Sequence, residues 1–120
     1  MATKVYIGQP MRSRERSQIL AERERVKSAV LQWYPDAEFL ENYFEDYDAE
    51  KGELYWLSKS IALMNEADLV VMAPMYLGTP GCECEDHIAQ VYGKHRFTIN
   101  YGFDLNGNYD NTTDEYSYVR

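Results

Sequence analysis

The chain is short of cysteine, has no long apolar run and carries few basic residues for its acids. Two cysteines in 120 residues cannot build the disulfide framework of a small secreted domain. No apolar stretch approaches the roughly 20 residues that cross a bilayer. The opening MATKVYIGQP reads as a strand and a turn, not as a secretory signal. A cytoplasmic chain with reduced thiols and no membrane partner is therefore expected. Twelve Lys and Arg stand against 20 Asp and Glu, a net charge of −8. Binding to a duplex needs a broad basic face, so no nucleic-acid polymer is expected as a partner. The charge is uneven: residues 1–34 hold seven Lys/Arg against three Glu, and residues 35–120 hold five against seventeen acids. The basic opening segment can still serve a small phosphate. Internal repeats are absent, and Gly78-Thr79-Pro80-Gly81 lacks the Gly-Lys-Ser/Thr that would make it a Walker loop.

What is present suits one domain with a core of its own. Lys4 to Ile7 reads as a strand that Gly8-Gln9-Pro10-Met11 ends. A helix follows from about Ser13 to Trp33, with Ile19, Val26, Val30 and Trp33 at helical spacing. Its Glu22/Arg25 and Glu24/Lys27 pairs read as a solvated face. Ala37 to Leu40 is a short second strand. Residues 42–52 form a long acidic loop whose Tyr43, Phe44 and Tyr47 either stack on a ligand or anchor the loop. Leu54, Leu57, Ile61 and Met64 mark a second helix from about Glu53 to Glu66. Leu69 to Ala73 is a strand apolar enough to be buried on both faces. A third helix starts at Gly81 or Cys82 and is capped by Gly93. His95 to Asn100 is a fourth strand. Strands alternating with helices predict an α/β fold: a Rossmann-like or flavodoxin-like three-layer sandwich with a mostly parallel sheet of four to five strands. Residues 101–120 are rich in Tyr, Asn and Asp and read as a polar tail, either a hairpin at Leu105-Asn106-Gly107-Asn108 or a subunit contact.

The switch-point rule places a site at the ends of the first and third strands, GQPMRS and APMYLGTPG. On the helix that follows, successive residues about 100° apart put Cys82, Cys84, Ile88, Ala89, Val91 and Tyr92 on one arc. Glu83, Asp86, His87 and Gln90 fall on the other. Glu85 is an acid within the apolar arc. It is either a structural acid at the edge of the core, paired with an arginine, or the centre of the chemistry. Cys82, Cys84 and His87 diverge on a helix and lack a fourth ligand, so no metal is expected there. Asp104, Asn106, Asn108 and Asp110 alternate as in a calcium loop, but the glycine is misplaced.

Four segments in this order resemble the nucleoside 2-deoxyribosyltransferase-like superfamily. They are Tyr6-Ile7-Gly8-Gln9-Pro10-Met11, Trp56-Leu57-Ser58-Lys59-Ser60, Ala67-Asp68-Leu69-Val70-Val71, and Gly81-Cys82-Glu83-Cys84-Glu85 running on to Ala89 and Tyr92-Gly93. The chain most resembles a small domain-of-unknown-function group of bacterial and phage proteins within it. The likeness covers roughly residues 3–100. It implies a deoxynucleoside or deoxynucleotide N-glycosidase or transferase in which Glu85 is the nucleophile at the anomeric carbon and no cofactor is used. It also implies substrate contacts from Tyr6, Gly8, Gln9, Pro10, Met11, Ser13, Ser60, Thr79 and Gly81. A hydroxyl at Thr79 suits a 5′-phosphate, and Ser13 with Arg12 or Arg14 is a second phosphate candidate. The characterised enzymes carry an Asp where this chain has Ser60, which counts against turnover and still allows nucleotide binding. A small-molecule nucleotide or nucleoside is the implied partner, and a homodimer or larger homo-oligomer the implied assembly. A non-catalytic nucleotide-binding protein is the alternative. The helix N-terminus should favour an ionised Glu85, while burial opposes it.

Overall fold

A computed structural model describes residues 2–11, 14–73, 79–103 and 109–119 of the chain. The elements run β1 (Thr3–Gly8), α1 (Arg16–Trp33), β2 (Ala37–Phe39), α2 (Glu53–Met64), β3 (Leu69–Met72), α3 (Pro80–Val91), β4 (His95–Phe103) and β5 (Tyr109–Val119), with a single 3-10 turn at Ala49–Lys51 before α2. The sheet order is β2-β1-β3-β4-β5. The first four are parallel, and β5 returns antiparallel to β4. The fold is thus the expected α/β sandwich with a mostly parallel sheet. Residues 101–103 prolong β4, and Tyr109–Val119 join the same sheet. The turn Leu105–Asn108 and most of the calcium-like pattern lie outside the described residues.

Alternation along the central strands divides the core. Val5, Ile7, Leu69, Val71 and Ile99 face α1 and pack on Val26, Ala29 and Val30. Tyr6, Val70 and Met72 face the other way, towards Met64 of α2 and Cys82 and Ala89 of α3. Every side chain of β3 is buried, which is why its sequence is continuously apolar rather than alternating. Trp33, the last residue of α1, is largely exposed, while the following Tyr34 packs edge-on against Phe97 of β4.

Two elements differ from the expected faces. In α1, Glu22 and Arg23 are buried, although Glu22 belongs to a pair that reads in the sequence as part of a solvated face. The Glu24–Lys27 pair does lie at the surface, 3.6 Å apart. In α3 the buried residues are Cys82, Glu85, Asp86 and Ala89, whereas Cys84, Val91 and Tyr92 are exposed. The inward face is therefore turned towards Asp86. The cause lies on the neighbouring strand: Arg96 of β4 sits beneath the helix, and its Nη1 donates to Asp86 Oδ1 at 2.8 Å. An acid packs inward when a buried arginine meets it.

The end of α3 follows from local chemistry. Gly93 takes φ +70°, the left-handed conformation. Its N–H donates to Gln90 O at 3.2 Å, and the Lys94 N–H donates to Ala89 O at 2.9 Å. These are the two bonds of a Schellman cap, which satisfies the last carbonyls of the helix.

Candidate active site at the switch point

In this strand order the chain leaves β1 towards β2 and then crosses back to β3. The loops after β1 and β3 part there, and a crevice opens outside the carboxyl ends of the two strands. A cavity of about 630 Å³ occupies that place. Gln9 and Met11 line it from the β1 end, Thr79, Gly81 and Cys82 from the start of α3, and Trp56, Leu57 and Ser60 from α2. The loop after β2 adds Asn42, Tyr43, Phe44 and Tyr47.

Glu85 lies in this lining and is 6% exposed. The Tyr6 hydroxyl donates a hydrogen bond to its Oε2. Tyr6 is itself almost completely buried on β1, so two adjacent elements meet at one carboxylate. Burial pushes the Glu85 carboxyl up to about 7, against a lowering by the Tyr6 hydrogen bond. Of the two opposing influences expected from sequence, burial therefore prevails. Glu85 is the sixth residue of α3, which starts at Pro80, and the field of free amides fades beyond the first turn. Tyr6 is held well above the ordinary tyrosine value, by burial first and then by the Glu85 charge. It stays a neutral donor. The polar side chains of Ser60 and Asn42 work against that rise.

Gly8 explains how the acid fits. A Cβ at this position would lie 2.5 Å from Met72 Cε and 2.7 Å from its Sδ, with Glu85 Oε1 at 3.9 Å. The missing side chain lets Met72 pass under the Glu85 carboxylate. Gly8 is thus a floor residue and does not line the cavity itself. Pro10 is buried and also outside the lining; its carbonyl accepts from Arg14 Nη1 at 2.7 Å. Ser13 and Arg12 fall outside the described residues. Tyr6, Gln9, Met11, Ser60, Thr79, Gly81 and Glu85 are brought together around the one cavity.

Thr79 is the N-cap residue of α3, yet its side chain does not cap the helix. A methyl group added at Gly81 meets nothing within 4 Å, so packing does not require a glycine there. Arg14 and Arg16 supply positive charge to the wall. Arg14 Nη1 also donates to Glu22 Oε1 at 2.8 Å, and Gln9 Nε2 donates to the same oxygen at 3.0 Å. Arg16 pairs at the surface with Glu45, its Nη2 2.7 Å from Oε1, and lies over the Tyr43 ring. Phe44 and Tyr47 pack on Trp56, with ring centroids at 5.4 and 5.2 Å. The loop aromatics are thus anchored and also present faces to the cavity.

Sequence reading missed Asn42 and Arg23. Asn42 is buried and donates from Nδ2 to Ile7 O at 2.7 Å. Arg23 lies 2% exposed, and its Nη2 donates to Asn42 Oδ1 and to Leu40 O. Its signal was its position: with Ile19, Val26 and Val30 it occupies the i, i+4, i+7, i+11 stripe of α1. Burial raises the Cys82 thiol well above its ordinary range, which disfavours a thiolate nucleophile. Among the described residues, no three His, Cys, Asp or Glu side chains converge as metal ligands would.

Fold and site together define an α/β protein with one desolvated carboxyl at the switch-point crevice. No protein-family model matches the chain, and no curated protein matches it significantly. Among the described residues, no helix is long and apolar enough to cross a membrane.

Proposed function

We propose that the protein cleaves, or exchanges the base of, the N-glycosidic bond of 2′-deoxynucleoside 5′-monophosphates through a covalent glycosyl-enzyme on Glu85. One observation carries the reading: a buried carboxylate, oriented by the Tyr6 hydroxyl, in the wall of a cavity of about 630 Å³ with aromatic faces and two arginines. A Glu85 oxygen attacks C1′ as the C1′–N bond breaks. The base leaves with the bonding pair and takes up a proton. Water or a second base then attacks C1′ and releases the carboxylate, with net retention. Tyr6 keeps one oxygen of Glu85 engaged, leaving the other for attack. Thr79 and the cavity arginines suit a 5′-phosphate, and Tyr43, Phe44 and Tyr47 suit a planar base. No metal or cofactor enters this scheme. Assembly as a homodimer or larger homo-oligomer belongs to the same proposal.

Ser60 favours a second reading, a nucleotide-binding protein without turnover. A hydroxyl beside Tyr6 carries no charge to support the sugar or the nucleophile. Incubation with a panel of deoxynucleoside monophosphates, followed by chromatography of the free base, separates the two. The expected result is base release that Glu85→Gln reduces about a thousandfold or more. Binding without base release would establish the second reading. Equal release by wild type and Glu85→Gln would remove Glu85 from the mechanism.

A further inference from the structure

Arg14 and Arg16 both line the cavity, and each meets a carboxylate, but the two carboxylates are held differently. Arg14 Nη1 donates to Glu22 Oε1 at 2.8 Å and to Pro10 O at 2.7 Å. The Glu22 side chain is only 9% exposed. Its Oε1 also accepts from Gln9 Nε2, which is bonded in turn to Ile19 O. Drawing Arg14 away would leave a buried carboxylate without its cation, which is costly. Arg14 is therefore fixed in the wall. Arg16 meets Glu45 as a fork: Nη2 donates to Oε1 at 2.7 Å and Nε to Oε2 at 3.4 Å. These two side chains are 60% and 65% exposed. Such a pair contributes little to stability, because water solvates either ion alone. Glu45 stands on the loop after β2, and its neighbours Tyr43, Phe44 and Tyr47 line the cavity. That loop is tied down elsewhere, by Asn42 Nδ2 to Ile7 O and by Trp56 Nε1 to Asp48 O, each at 2.7 Å. Parting Arg16 from Glu45 leaves those bonds in place. It also leaves the guanidinium a support of its own, the Tyr43 ring, whose centroid is 5.8 Å from Cζ.

We infer that Arg16, not Arg14, binds the anionic group of the ligand, and that Glu45 is a built-in stand-in that holds the Arg16 fork until that group displaces it. A carboxylate and a phosphate each present paired oxygens to a guanidinium fork. The arrangement made with Glu45 is thus the one a phosphate adopts on exchange. The phosphate carries more charge and more acceptor oxygens than the carboxylate, so it wins the fork. An uncharged nucleoside has nothing with which to displace Glu45 and gains nothing from Arg16. The pair therefore sets a preference for ligands that bear a phosphate. Because the exchange gives up the Glu45 contact, the wild type never expresses the full affinity of Arg16. The inference rests on the reading of the cavity as a nucleotide site, and it assigns the phosphate end of that site to the start of α1.

The test is calorimetric binding of deoxynucleoside 5′-monophosphates and of the matching deoxynucleosides, in a Glu85→Gln background so that turnover does not consume the ligand. Glu45→Gln should tighten monophosphate binding about threefold. Arg16→Gln should weaken it about tenfold or more. The double variant should bind as Arg16→Gln does, since Glu45 acts only through Arg16. Nucleoside affinity should be the same in all four proteins. Both side chains are exposed, so these variants keep the fold. Monophosphate affinity that Glu45→Gln leaves unchanged or lowers overturns the inference. So does a loss in Arg16→Gln that the nucleoside shares equally, or an absence of monophosphate binding in every form. The glycosidase reading fails separately. If wild type releases no base while Glu45→Gln still tightens monophosphate binding, turnover falls and the role of Arg16 stands. If wild type releases base and Glu45→Gln changes no affinity, the reverse holds.

Discussion

Glu85 holds the conflict between stability and chemistry in a single side chain. Its carboxyl is raised by burial from 4.5 to about 7, so the folded protein binds a proton more readily than the unfolded chain between those values. Stability then falls as pH rises through that window, because the native state must give up a proton that it holds more tightly. The penalty is absent below about pH 4.5, complete above about pH 7, and on the order of 3 kcal/mol. Urea unfolding at pH 4.5 and pH 8 measures it. Glu85→Gln should be more stable than wild type at pH 8 and close to it at pH 4.5. If Glu85 is the nucleophile, base release should follow the opposite course, rising through pH 7 to a plateau, because attack needs the ionised form. Sequence disclosed this residue because an acid on an apolar helical arc is conspicuous. It did not disclose Tyr6 as the donor, since a tyrosine in a buried strand reads as core.

At the scale of elements, the approach of β1 and β3 beneath α3 decides whether the acid fits. Gly8 pairs with Met72 in the parallel register, and the Met72 side chain fills the space a Cβ would take. Gly8→Ala should therefore cost about 1–3 kcal/mol through overpacking. Gly8→Ala combined with Met72→Ala should show that the two costs do not add, because the second change removes the clash made by the first. A denaturation cycle over the four proteins checks this; strict additivity would mean that the backbone, not Met72, takes up the strain. The faces of the helices were less legible than their existence. Asp86 was placed on the polar side of α3, yet Arg96 draws it inward. Likewise, Glu22 and Arg23 look like part of a surface charge run until Gln9, Arg14 and Asn42 are brought against them. The partners of all three come from other segments, at sequence distances that periodicity does not reach.

Over the whole molecule, the sheet runs from the three-residue β2 at one edge to β5 at the other. β5 covers the outer edge of β4, so the parallel part does not end in a bare strand. A chain ending at residue 103 should keep the four parallel strands and the cavity at the far end of β1 and β3. It should also expose the β4 edge and associate more readily, since unpaired edges recruit further strands. Sedimentation of the two forms at matched concentration checks this, and identical behaviour would show that β5 does not serve as an edge cover. The net charge of −8 should oppose that association, so the difference should grow with added salt.

The order of elements, the buried parallel strands, the crevice at the switch point and the isolation of Glu85 were all determined by sequence. Each depends on local periodicity or on the restricted handedness of strand–helix–strand units. Tertiary structure alone decided the ionisation of Glu85, the inward turn of Asp86 and the burial of Arg23. These depend on desolvation and on partners brought together from distant segments, and those forces come into being only when the core closes. The carboxylate that stands out on a helical wheel is therefore desolvated and held by Tyr6.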